Sequence, residues 1–382
     1  MAEIDPNQEM EFIQTSKKIT TIEDMFNTVI DFEASDIHLQ VGNHPIIRID
    51  GILKKMNCDI LTHESMEKIL SDLLPPEKIS ILKTNGDLDF AYGIQGKGRM
   101  RINIFYQRGS ISMAGRLVNT IIPSFQELNL PPEPFKKITK LHSGMVILAG
   151  ITGAGKSTTL AALIDKINKE RECHILTIED PLEYLHSNKR SYISQREVGI
   201  DVKSFSVALK YALRQDPDVI LVGEMRDAET IQFGLTAAET GHLVLTTLHA
   251  SSCSGAIGRI LDHFPADQQT QIRQSLQFNL KSVICQKLIP SCNEKVGRVP
   301  ANEIMFVNAT IKELLRKAED IKILNAIRQG GEELMQDFNK SLINLVEQKL
   351  ITKELALNVS PYPDTLKMNF KGIYLSEDRA IF

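Results

Sequence analysis

The order of apolar and polar positions divides the chain into unlike regions. From about Ile19 to Val118, helical and strand patterns mix. Ile22 to Phe32 carries apolar residues at helical spacing, whereas Ile37-His38-Leu39-Gln40-Val41 and Ile46 to Ile49 alternate as strands before a turn at Asp50-Gly51. Asp87 to Tyr92 and Arg99 to Phe105 predict further strands, with Gly93, Gly96 and Gly98 marking a hairpin between them. These elements predict an N-terminal α+β domain over residues 1–120.

Residues 121–134 hold four prolines, Pro123, Pro131, Pro132 and Pro134. Proline withholds a backbone donor from helix and sheet, so this stretch predicts an interdomain linker and a hinge. From Ser143 the pattern changes to short, uninterrupted apolar runs separated by helix-forming segments. The runs are Met145 to Leu148, His174 to Ile178, Val219 to Val222 and Leu243 to Thr246. Such runs belong to a parallel sheet covered on both faces, here over residues 135–300. Beyond about Arg298 helical candidates return at Thr310 to Lys317, Ile321 to Arg328 and Phe338 to Leu350, predicting a C-terminal helical subdomain over 301–382.

Composition narrows the classes. Apolar residues make up 42% and charged residues 24% of 382 positions, which is ordinary for globular domains. A formal net charge of −4 gives no broad cationic field for a nucleic-acid backbone, so nucleic acid is not an expected partner. No apolar run is long enough to span a bilayer and no leader-like segment opens the chain, so the expectation is a cytoplasmic protein. The five cysteines, Cys58, Cys173, Cys253, Cys285 and Cys292, lack paired spacing and predict neither a disulfide framework nor a zinc ribbon.

The most specific chemistry lies at Gly150-Ile151-Thr152-Gly153-Ala154-Gly155-Lys156-Ser157, followed by Thr158. Between an apolar strand and a helix, this spacing is a phosphate-binding loop: glycines let successive N–H groups face one anion, and the helix adds its positive end. Lys156 would reach the β and γ phosphates of ATP, and the Ser157 hydroxyl would ligate Mg²⁺. A second acid is expected at the end of the strand Val219 to Val222, where Glu224 would hold the metal directly or through water; helix capping is its structural alternative. The strand Leu176 to Ile178 delivers Glu179, Asp180 and Glu183 at the edge where parallel sheets place ligands, and any of the three could activate water. His242 and His249 flank the strand Leu243 to Leu248 and would stand at its opposite ends.

With these residues in place, the chain resembles the secretion ATPase superfamily and, within it, the type IV pilus retraction ATPases. Thr177 to Glu183 is similar to the family's acidic box, Asp218 to Asp227 to its atypical Walker B segment, and Thr236 to His249 to its histidine box. Ala34-Ser35-Asp36-Ile37-His38-Leu39 and Ile47-Arg48-Ile49-Asp50-Gly51 resemble the PAS-like domain of these motors. The resemblance implies a PAS-like N-terminal domain and a RecA-like core with a mainly parallel sheet. It also implies a homohexameric ring at the inner face of the membrane, coupled to a pilus platform protein. Glu183 matches the catalytic glutamate and His249 belongs to the histidine box. Arg101 and Arg116 match arginines offered to a neighbour's γ-phosphate, with Arg108 and Arg214 as substitutes.

Ala309-Thr310-Ile311-Lys312-Glu313-Leu314-Leu315-Arg316 departs from the Ala-Ile-Arg segment usual in retraction motors. The resemblance therefore leaves a principal motor and an accessory one, working beside a second retraction ATPase, both open. An extension or type II secretion ATPase would be expected to add an N-terminal domain and a four-cysteine zinc site. Only Cys292 follows Gln286, and the sequence leaves no room upstream. A nucleic-acid motor and a non-hydrolysing regulatory subunit are the remaining rivals.

Overall fold

The computed structural model describes residues 10–14, 19–94, 97–293 and 296–373, so Gly96 lies outside the described residues. It comprises two compact units that divide after Thr120.

The first unit runs α1 (Ile22–Asp31), β1 (Asp36–Gln40), β2 (Ile46–Ile49), β3 (Ile52–Lys55), α2 (His63–Leu73), α3 (Pro76–Asn85), β4 (Asp87–Ile94), β5 (Gly98–Gln107) and β6 (Ser110–Val118). Thr21 and Asp24 close a reciprocal capping box on α1, which buries Ile22, Met25, Phe26 and Val29 on one face. The six strands form one antiparallel sheet in the order β3-β2-β1-β6-β5-β4. Alternation on β5 sends Met100, Ile102 and Ile104 into the core and leaves Arg101 and Asn103 on the other face.

The second unit runs α4 (Pro132–Thr139), β7 (Gly144–Ala149), α5 (Lys156–Glu170), β8 (His174–Glu179), β9 (Tyr192–Glu197), α6 (Phe205–Ala212), β10 (Val219–Val222), α7 (Ala228–Glu239) and β11 (Leu243–Leu248). It continues through α8 (Cys253–Leu261), α9 (Ala266–Asn279), β12 (Leu280–Pro290), β13 (Arg298–Phe306), α10 (Ala309–Lys317), α11 (Ile323–Gln329), α12 (Phe338–Glu347), α13 (Lys353–Val359) and α14 (Pro363–Phe370). Its sheet has the order β13-β12-β7-β11-β10-β8-β9; all neighbours are parallel except the edge strand β13. Every residue of β7, β10 and β11 is buried, as unbroken apolar runs require when helices cover both faces.

Two stretches differ from the sequence reading. The proline-rich segment is no extended linker within this unit: Phe125 and Leu130 are buried in its core, Phe125 packs at a tilt against Phe135 with centroids 5.3 Å apart, and Pro132 starts α4. Proline is at home in a first helical turn, where its missing donor costs nothing. The expected boundary at 300/301 falls inside β13, a strand rather than a helix. Helices α10 to α14 also share one hydrophobic core with the sheet. Pro300 can stand in β13 because it is an edge strand.

Candidate active site

At the end of β7 the chain turns at Gly150 into the phosphate loop and enters α5 at Lys156. Gly150 has φ +155° and passes so close to β12 that a Cβ there would stand 2.6 Å from the Gln286 carbonyl oxygen. Gly155 has φ +81°, and a Cβ would press on the Gln286 amide at 3.0 Å. Both positions therefore need glycine. Gln286 is itself the loop's support: almost wholly buried, it donates to the Ala154 carbonyl at 2.7 Å and accepts from the Thr159 hydroxyl at 3.0 Å. Lys156 Nζ donates to the Gly150 and Ile151 carbonyls at 2.8 and 3.1 Å. Burial draws its pKa down, while the charges of Glu224 and Glu183 draw it up; the net direction is down.

Glu224 follows β10 and faces the same cavity. Arg226 Nε lies 2.7 Å from one of its oxygens and His249 Nε2 lies 3.1 Å from the other. The capping alternative falls, because Asp227 caps α7. The Thr247 hydroxyl, on β11, donates to the Gly223 carbonyl at 2.7 Å and fixes the turn that presents Glu224. His242, at the other end of β11, faces the Ala237 carbonyl at 3.0 Å and lies away from this cavity.

A cavity of about 480 Å³ joins these groups. It is lined by the loop from Thr152 to Thr158, by Glu179, Asp180 and Glu183 after β8, and by Glu224, Arg226 and His249. Its volume is in the range of small-ligand sites. Burial pushes the Glu179 carboxyl up to about 7, against hydrogen bonding by Gln195 and with the like charges of Glu183 and Glu197. Glu183 is exposed within the cavity wall. A neighbouring cavity of about 380 Å³ shares Gly155 and Thr158 and is walled by Leu128, Leu288, Val296 and Pro300.

The donor set fits Mg²⁺ in one way. Ser157 offers a hydroxyl beside the phosphate loop, while both Glu224 oxygens already face cationic or N–H groups. Among the described residues no cluster of three or more His, Cys, Asp or Glu could cage a metal. Mg²⁺ keeps several waters and leans on substrate phosphates, so a hydroxyl with a carboxylate reached through water suits it.

In the first unit, cross-strand register sets Arg48, Asp36, Arg116 and Arg101 side by side across β2, β1, β6 and β5. Arg116 Nε donates to Asp36 at 2.8 Å, and Arg48 approaches the same carboxylate at 3.8 Å. Burial would raise the Asp36 carboxyl, but hydrogen bonds from Ser35 and Arg116 outweigh it and hold it low. Arg101 stands directly opposite Arg116, a like-charge pair that costs stability in a sheet and leaves an excess of positive charge. Arg108 sits in the β5–β6 turn with φ 52°, and Arg214 lies 5.8 Å from the Tyr211 ring in the second unit.

The sequence reading missed Gln286, Gln195, Arg226 and Tyr184. For Gln286 a signal existed: it interrupts the apolar run from Val283 to Ile289. Gln195 and Tyr184 give none, because their contacts depend on which elements lie side by side, whereas Arg226 pairs with Glu224 only two residues away, inside the segment Asp218 to Asp227.

Comparison with known proteins adds an independent observation. The profile of the family described as type II/IV secretion system proteins matches residues 13–357. The type IV pilus retraction ATPase PilT of Pseudomonas aeruginosa is 40% identical over 331 residues, covering 87% of this chain and 95% of that protein. The type IV pilus ATPase PilU of the same organism is 37% identical over 349 residues, 91% of each chain. The crystal structure of the pilus retraction motor PilT with bound ADP superposes with a TM-score of 0.81 at 41% identity, covering 91% of this chain and 99% of that one.

Proposed function

Because the chain belongs to the family of type II/IV secretion system proteins, we propose that it is an ATPase powering type IV pilus retraction and twitching motility. The observation that carries this reading is the convergence of Lys156, Ser157, Glu183, Glu224 and His249 on one cavity in a chain 40% identical to a retraction ATPase. The geometry suits phosphoryl transfer to water. N–H groups of residues 150–158 and the Lys156 ammonium cradle the phosphates and take up charge that grows in the transition state. Ser157 would hold Mg²⁺ directly and Glu224 would do so through water, and the bound metal would offset phosphate charge. Glu183 orients and deprotonates the attacking water. His249 and Arg226 fix the Glu224 carboxylate. The neighbouring cavity, with Leu128, Leu288, Val296 and Pro300 in its wall, takes the adenine ring.

The working form is a homohexamer in the cytoplasm, seated against a platform protein at the inner membrane. Among the described residues no helix is long and apolar enough to cross a membrane, so docking would supply that seat. Arg101 and Arg116 serve a neighbouring subunit's γ-phosphate; their surplus charge supports that role, since an anion would relieve it. The N-terminal PAS-like domain, the RecA-like core and the C-terminal helices are the parts of this motor.

A second reading, an accessory retraction motor acting beside another, is favoured by the divergent opening of α10 at Ala309 to Arg316. Deletion of the gene tests both. A strain crowded with unretracted pili and unable to twitch supports a principal motor, and a milder defect supports an accessory one. A bald strain would replace both with pilus extension.

A further inference from the structure

The crossover from β8 to β9 is unusual for parallel strands, because residues 180–191 contain no helix. Such a return takes about a dozen residues, and a helix would satisfy its own backbone groups along the way. An irregular return needs partners from side chains. Two amides supply them. Asn168, buried on α5, donates to the Ser187 carbonyl at 2.8 Å and accepts from the Lys189 N–H at 3.0 Å. Gln195, on β9, accepts from the His186 N–H at 2.8 Å and donates to the Tyr184 carbonyl at 2.9 Å. The Tyr184 hydroxyl adds a tether to the phosphate helix, donating to Thr158 Oγ1 at 3.1 Å.

Glu183 stands immediately before the segment that Gln195 spans. Its carboxylate makes no hydrogen bond to another described residue, so the position of its backbone, next to the stretch held through Tyr184 and His186, decides which part of the cavity the side chain can reach. Gln195 does not line that cavity and cannot touch the nucleotide. We infer that Gln195 is a positioning residue for hydrolysis: its amide bridges Tyr184 and His186 and thereby aims Glu183 at the attacking water. The inference rests on Glu183 being the general base. A displacement of about 1 Å in such a group can cost up to about a hundredfold in rate, while substrate affinity depends on other contacts.

A double-mutant cycle tests this on the assembled, full-length protein. Gln195→Met keeps the side chain's length and removes both backbone bonds together with the amide's hydrogen bond to Glu179. At about pH 6, where Glu179 keeps its proton with or without that bond, it should lower kcat about tenfold or more, with KM and ADP affinity unchanged. In a Glu183→Gln background the same change should cost nothing further, because the group it aims is gone. Equal slowing in both backgrounds would overturn the inference, as would a rise in KM alone or an unaltered kcat where Glu183→Gln is inactive. Full turnover in Glu183→Gln by itself is a different result: it removes the base assignment and this inference with it. If the methionine variant does not fold, Gln195→Asn, whose shorter amide cannot span both backbone groups, carries the same comparison.

Discussion

Glu179 offers the most quantitative check on how dry the nucleotide cavity is. It ends β8, and burial pushes its carboxyl from 4.5 up to about 7. A raised carboxyl pKa means that the unfolded chain gives up its proton first. The stability it contributes is therefore complete below about 4.5 and is lost as pH climbs through about 7. The gap from 4.5 to about 7, at about 1.4 kcal/mol per pH unit, amounts to about 3 kcal/mol above neutrality. Glu179→Gln keeps the shape and removes the charge. The advantage of the variant over wild type should therefore grow by about 2–3 kcal/mol between about pH 5 and about pH 8. Urea unfolding followed by far-UV circular dichroism reads this, using the transition of the second unit. Taking variant minus wild type cancels the titrating groups that do not interact with Glu179 and leaves only those coupled to it, Glu183 and Glu197. A difference that stays constant across that range would refute the argument, because Glu179 would then titrate as an ordinary, hydrated carboxylate. Binding of a fluorescent ADP analogue gives a second readout: wild-type affinity should weaken through neutrality more than that of the variant.

Other expectations follow from single contacts. Lys156→Ala should abolish turnover and leave the melting temperature nearly unchanged, since its ammonium serves phosphate and no hydrophobic core; near-normal ATPase activity would remove the phosphate-loop assignment. Mixing Arg116→Ala with Lys156→Ala subunits, each inactive alone, should restore part of the activity in mixed rings, and rings that form without recovering would count against arginines acting between subunits. Asp36→Asn should destabilise the first unit by about 1 kcal/mol at neutral pH, the exposed Arg116 limiting the effect. Because the Asp36 carboxyl is held low, that loss should vanish in acid as wild type is protonated, a trend that pH-dependent melting measures. Gln286→Ala should cost about 3 kcal/mol by orphaning the Ala154 carbonyl and the Thr159 hydroxyl, with ADP affinity falling as well.

Much of the fold could be read from the sequence because local pattern and tertiary environment agree there. The apolar runs of β7, β10 and β11 are buried on both sides, and α1 carries its own caps. The resemblance to type IV pilus retraction ATPases, drawn from ordered motifs, is borne out by 40% identity over 331 residues. Pattern failed where an element's partner lies far along the chain. The strand β13 reads as a broken apolar segment, because Pro300, Asn302 and Glu303 interrupt it. All three are buried, since β12 covers one edge and helices cover the faces. Glu303 even accepts the Cys253 N–H at 2.6 Å, seating the first turn of α8.

The same division explains which parts of the site were legible. Residues meant for phosphate declare themselves through spacing, since a loop that wraps one anion needs its glycines and lysine at fixed intervals. Residues that hold the loop in place need no spacing relative to it. Gln286 stands 132 residues from the Ala154 carbonyl it supports, and Gln195 owes its role to β9 lying beside β8. A polar side chain buried in a core must find partners or cost stability, so it marks structure-dependent function even where no motif does. Thr159, Asn168 and Gln286 are such residues here: each is buried, hydrogen-bonded, and attached to the phosphate loop or to the crossover that carries Glu183. A chain that kept the motifs but lost these three would still bear a recognisable phosphate signature. It would lack the geometry that gives Lys156 and Glu183 their use.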